Sequence, residues 1–119
     1  ATHSGRVLLV PDGGQDNTYT LPAPIAGSMF RFVYAGGAAD ATDAIIITPG
    51  NTNFYIGGIT FLDTDGNAIS SVFSNGSSNS SIQFNVPAGF DVTIMGLNTT
   101  NYQIFGNATS TTAPAFADQ

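Results

Sequence analysis

Apolar and polar positions alternate with a period of two in one short run after another along this chain. That repeat sends successive side chains to opposite faces of a sheet. The pattern is clearest on either side of a proline-rich corner. Tyr19 and Leu21 alternate with Thr18 and Thr20; beyond the corner, Phe30, Phe32 and Tyr34 share one face of a second run, and Met29, Arg31 and Val33 share the other. Between the runs, Pro22 and Pro24 have no N–H to donate and hold Leu21 and Ala23 out of the helical region. The chain must bend there, and the stretch 17–37 is expected to organise the fold. Three rings on one side of a strand dominate a small core, so the aromatic run is expected to be central.

The remaining runs are short and bounded by turn residues. Arg6–Val10 ends at Pro11-Asp12-Gly13-Gly14, and a loop of small residues over 36–43 is flexible enough to cross between sheets. Ala44-Ile45-Ile46-Ile47-Thr48 is continuously apolar until its last residue and is expected to be buried on both sides. Runs at 53–56 and 59–62 are separated by Gly57-Gly58, a pair expected to mark a bulge or the close approach of another backbone. Weaker alternation follows at 69–73, then a polar low-complexity loop over 74–81, then runs at 82–86, 92–95 and 102–105. About eight or nine short strands at roughly ten-residue spacing, with no helical window, predict an all-β fold. An antiparallel jelly-roll-like sandwich or barrel is expected. The predicted organisation is an N-terminal arm (1–5), a single β domain (6–106) and a C-terminal tail (107–119) carrying Phe116.

Composition narrows the function classes. At 119 residues the chain builds one core. It has two arginines, no lysine or glutamate, and eight aspartates, for a net charge of −6. Nucleic acid and anionic membranes are therefore not expected as partners, and no apolar run approaches the roughly 18 residues of a membrane span. Without cysteine there is neither a disulfide framework nor a thiolate site. The N-terminus lacks the charge-then-apolar order of an export signal, so the chain is expected to start where an initiator Met was removed.

Candidate chemistry is sparse. His3 is the single histidine, with no second histidine, cysteine or glutamate to make a triad or a histidine-based metal site; it is read as part of a solvated terminus. Asp63-Thr64-Asp65-Gly66-Asn67 looks like a calcium loop cut short, but Ala68 and Ile69 follow where oxygen donors should continue, and the same residues make ordinary hairpin turns. Asp40 and Asp43 are read as solubilising loop residues. The glycine pairs at 13–14, 36–37 and 57–58 open no helix and have no lysine, so they make no phosphate cradle. Four Asn-x-Ser/Thr matches, at Asn75, Asn79, Asn98 and Asn107, follow from a composition rich in these residues. Arg31, between two phenylalanines, either lays its stem over an exposed face or reaches an aspartate of another subunit. No cofactor, no metal and no catalytic residue is expected, and an enzyme is not.

The run Thr20-Leu21-Pro22-Ala23-Pro24-Ile25-Ala26-Gly27 followed by Phe30-Arg31-Phe32-Val33 resembles small structural proteins of tailed bacteriophages. Ile46-Ile47-Thr48-Pro49-Gly50 and Val92-Thr93-Ile94-Met95-Gly96-Leu97 are similar in placement, and together these pieces touch about half of the chain. The resemblance implies a capsid decoration, or cement, protein on the outside of the virion head: all-β, trimeric, bound to the major capsid protein and carrying no catalytic residues. Under that reading Ala1, Thr2, His3, Ser4 and Arg6 are expected to contact the capsid, and Phe30, Arg31, Phe32, Tyr34 and Phe116 to pack between subunits. The rival expectation is a carbohydrate- or receptor-binding domain of a fibre or tail tip, using the 74–81 loop and exposed tyrosines.

Overall fold

A computed structural model of the chain describes residues 4–12, 15–37 and 42–119. Among these, ten strands form: β1 (Arg6–Val10), β2 (Asn17–Thr20), β3 (Met29–Tyr34), β4 (Ala44–Ile47), β5 (Phe54–Asp63), β6 (Ala68–Phe73), β7 (Ser81–Phe84), β8 (Gly89–Gly96), β9 (Asn101–Ser110) and β10 (Ala115–Ala117). A six-stranded sheet in the order β1-β3-β8-β9-β5-β6 lies against a four-stranded sheet in the order β10-β7-β4-β2. The all-β expectation holds, with one or two strands more than expected.

The antiparallel expectation is corrected, because both sheets are mixed. β1 pairs with β3, β2 with β4, and β5 with β9, all in parallel. For the first two pairs the cause is the path of the chain. It passes from β1 in the large sheet to β2 in the small one, back to β3, and across again to β4. Successive strands lie in opposite sheets, so next-but-one strands become neighbours running the same way.

Alternation puts the rings where they can pack. Phe30, Phe32 and Tyr34 of β3 point into the sandwich with Phe90, Val92 and Ile94 of β8, and they meet Ile46, Ile82 and Phe84 of the small sheet. Phe84 stacks on Phe90 with ring centroids 4.1 Å apart, so one stacked pair ties the two sheets together. Tyr55 and Tyr102 are fully buried. The Tyr55 hydroxyl donates to the Ile46 carbonyl (2.9 Å). A buried phenol needs such a partner.

The proline corner is docked onto the end of β8 and β9. Leu21 and Pro24 are buried, and the Tyr102 hydroxyl donates to the Pro22 carbonyl at 2.7 Å. Burial pushes the Tyr102 pKa up to about 12. The Gly27 N–H donates to the Gly96 carbonyl (2.9 Å), and the Gly96 N–H donates to the Ser28 carbonyl (2.8 Å). A Cβ on Gly96 would lie 2.1 Å from the Ile25 carbonyl oxygen. Only glycine lets the corner come this close.

Several expectations change on contact with the structure. The runs at 53–56 and 59–62 are one strand, β5, which passes through Gly57 (φ +96°) and Gly58. As expected of this pair, another backbone approaches closely: a Cβ on Gly58 would lie 2.4 Å from the Val72 carbonyl oxygen of β6. β4 alternates, with Ala44 and Ile46 buried and Ile45 and Ile47 only partly so. The 74–81 loop is tightly wound. The Asn75 side-chain oxygen accepts N–H groups from Ser77, Ser78 and Asn79, and Ser80 is fully buried.

Residues 107–119 are folded rather than a free tail. β9 runs on to Ser110 between β8 and β5, and β10 pairs with β7. Phe116 meets Tyr55 edge-on, centroids 6.0 Å apart. The Gln119 side-chain amide donates to Thr48 and Ser80 (2.9 to 3.1 Å). Asp43, read as a solubilising residue, is instead a brace. Its carboxylate accepts the Gln83 side-chain amide (2.7 Å) and the Val86 N–H (2.9 Å). Val86 has φ +43°, a left-handed conformation unfavourable for a β-branched residue, and the Asp43 contact helps hold it. Asp40 lies outside the described residues.

The corner contacts make a direct test. Gly96→Ala is expected to lower stability by about 2 kcal/mol through overpacking against the Ile25 carbonyl. Tyr102→Phe should lose about 1 kcal/mol with its hydrogen bond. Urea denaturation of the two variants measures both; unchanged midpoints would show that the corner is not docked as described.

Candidate functional site

The candidate site follows from what the large sheet does with its second face. Pairing register sets outward side chains in rows across the strands. One row runs Val7, Arg31, Thr93, Phe105 across β1, β3, β8 and β9. The next runs Leu9, Val33, Asp91, Asn107, Thr60, Ser71 across all six strands. Among the described residues eight large apolar side chains are exposed. Six of them, Val7, Leu9, Met29, Ile69, Phe73 and Phe105, occupy outward positions of this sheet and are between 42% and 75% exposed. The other two, Ile25 and Leu97, sit by the corner. Single exposed apolar residues are ordinary; six on one sheet face, two on each edge strand and one each on β3 and β9, make that face the candidate contact surface.

Between β3 and β8, the second and third strands of this sheet, lies an ion pair. The Arg31 Nε donates to Asp91 Oδ1 (2.8 Å), and its Nη2 donates to Oδ2 (2.5 Å), a two-pronged geometry on adjacent strands. Both side chains remain partly exposed. The Arg31 hydrogen bonds hold the Asp91 carboxyl below the usual carboxylate range, and the same bonds and charge raise the arginine. Beside the pair, Phe105 stands between two shallow recesses. One of about 350 Å³, floored by Gly58 and Gly106, separates it from Phe73; the other, of about 270 Å³, is lined by Arg31, Asp91 and Thr93.

A second concavity opens where the edge strands β1 and β2 part company. This cleft of about 500 Å³ is lined by Leu8, Tyr19, Leu21, Phe30 and Phe32. Its walls are free strand edges, and it gives onto the core.

The residues expected from the sequence fall in different places. Phe30, Phe32 and Tyr34, expected between subunits, are buried inside this chain because the small sheet covers them; the side chains that β3 turns outward are Met29, Arg31 and Val33. Arg31 lies on the exposed face, and the aspartate it reaches is Asp91 of the same chain rather than one of another subunit. Phe116 packs half-buried on Tyr55. Of the expected capsid contacts, Ala1, Thr2 and His3 lie outside the described residues. The Ser4 hydroxyl accepts the Met29 N–H (3.1 Å), and Arg6 is exposed at the start of β1. The tyrosines needed for an exposed sugar-binding face point inward: Tyr34, Tyr55 and Tyr102 are buried, and Tyr19 packs against Phe32. The Asp63 carboxylate is taken up by its own turn, accepting the Asp65 and Gly66 N–H groups.

Val7, Leu9, Phe73 and Phe105 were not singled out from the sequence, although a signal was present. Each adjoins another apolar residue, in Val7-Leu8-Leu9-Val10, Val72-Phe73 and Ile104-Phe105. In a strand, one member of such a pair must face away from the core.

Compared with known proteins, the chain matches no family model, no curated protein and no solved structure.

The ion pair gives this face a pH signature. Because the folded-state pKa of Asp91 is depressed, the pair contributes at neutral pH, and its contribution is lost as pH falls through that lowered value. The Tm difference between the native chain and Asp91→Asn should therefore be open at pH 7 and close below the ordinary carboxylate range. A difference independent of pH would show that the pair does not form.

Proposed function

We propose that this protein is a structural component of a bacteriophage virion, a decoration protein that binds the outside of the head through the major capsid protein and reinforces the shell. The observation that carries the reading is the outer face of the six-stranded sheet. It carries six exposed large apolar side chains among polar ones, as suits a protein that works by contact. The sandwich has its core on one side of this sheet and exposed apolar side chains on the other, and among the described residues no element covers that second side.

The resemblance of the proline corner and aromatic strand to phage structural proteins supports the same reading. Arg6 and the edge of β1, next to the N-terminal arm, are the proposed capsid contact. Contacts repeated over a lattice need not be strong one by one, since attachment at several points multiplies their effect.

Mixing the purified chain with empty heads built from the accompanying major capsid protein tests the proposal. The expected result is saturable co-pelleting at a fixed ratio per capsomer, with a raised melting temperature of the heads. Heads that pellet without the chain would contradict it.

A further inference from the structure

The outer face of the six-stranded sheet also bears on what covers it, and three features of that face converge on one occupant. The first is charge. Among the described residues, Arg31 and Asp91 are the charged side chains at outward positions of these six strands, and they cancel each other. The whole net charge of −6 therefore lies elsewhere. Two copies of so acidic a chain repel across most of their surfaces, but not across this one.

The second feature is relief. The face carries both projections and places to receive them. Phe73 and Phe105 project, and a shallow recess floored by Gly58 and Gly106 lies between them. A surface that holds both halves of a contact is suited to itself, which is the condition for association of identical subunits.

The third is size. Six strands at about 4.8 Å spacing, overlapping for about six residues at roughly 3.3 Å each, make a face of about 25 by 20 Å. Its flat area of about 500 Å² is somewhat over half of the roughly 800 Å² that each partner of a standard-size complex buries.

We infer that this face is a self-association surface, occupied by the same face of a second copy of this chain, with Phe73 and Phe105 as its anchors and the Arg31–Asp91 pair enclosed within it. The inference rests on the assembly reading above and sets a two-fold contact, which closes as a pair of copies, in place of the trimer that the resemblance implies. It also divides the labour: the sheet face joins copies, and the β1 edge with its arm stays available for the shell.

Sedimentation equilibrium of the native chain and of three variants tests it, with co-pelleting on empty heads run in parallel. The native chain is expected to sediment as an assembly of two copies. Phe105→Asp should reduce it to the single-chain mass of 12.2 kDa with an unchanged circular dichroism spectrum. Phe73→Ser, on the edge strand, should weaken assembly in the same direction and serves if Phe105→Asp does not fold. Thr20→Asp, on the exposed side of the small sheet, should leave the mass unaltered.

A native chain that stays at 12.2 kDa at every concentration overturns the inference, as does an assembly that survives Phe105→Asp or Phe73→Ser. A single-chain species that still saturates heads sinks self-association and leaves the decoration reading standing. An assembly that ignores heads does the reverse.

Discussion

The constraint on which the rest depends is the docking of the Leu21–Gly27 corner onto the ends of β8 and β9. Tyr102 holds it by the Pro22 carbonyl, and Gly96 lets it approach to within contact of the Ile25 carbonyl. This fixes where β3 begins and thus its register against β8. A slip of one residue would exchange the two faces of the strand. Phe30, Phe32 and Tyr34 would then turn to solvent, and Arg31 would be driven into the core without Asp91. The corner therefore decides more than a change of direction. It selects which half of an evenly apolar strand becomes interior and which half becomes surface.

That selection explains the character of the large sheet. Its inner face is satisfied by the small sheet and by stacked rings such as Phe84 on Phe90. The outer face keeps Met29, Val33, Phe105 and Phe73 with no element of the described residues over them, and burying such side chains is worth roughly 25 cal/mol per Å². The small sheet is different. Thr18 and Thr20 of β2 are exposed on its outer side, and Gln83 is tied to the Asp43 brace. Ile45 and Ile47 share that outer side but are partly buried, so the two sheets differ in how far their outward apolar side chains stand exposed. The ion pair fits this account, since two charges already paired are less costly to enclose than either alone.

How much of this was legible in the sequence can be judged residue by residue. The corner, the inward set of β3 and the close approach at Gly57-Gly58 were legible because each is set by local chemistry: a missing N–H, a period of two, a missing Cβ. The parallel pairings were not, because they depend on which sheet each strand joins, and that is decided by contacts far apart in the chain. The last strand was hidden for a different reason. Ala115-Phe116-Ala117 has no alternation to display, and it is a strand because β7 and Tyr55 offer it a place. Asp43 looked like a soluble loop residue because its role requires Val86, 43 positions away, to need a hydrogen-bond acceptor. The contact face was half legible. The doubled apolar pairs imply a second apolar surface, but only the register places those pairs side by side.

The absence of cysteine from the chain allows one direct measurement of the central claim, that the outer face of the large sheet is covered by contact with other protein. A single thiol placed at Thr93, mid-row between Arg31 and Phe105, reports whether that face meets solvent, and one placed at Thr20 reports on the small sheet. The account predicts that at high protein concentration the thiol at position 93 reacts many-fold more slowly than the one at 20 with a small alkylating reagent, and that the difference shrinks on dilution. Equal reactivity at all concentrations would contradict it.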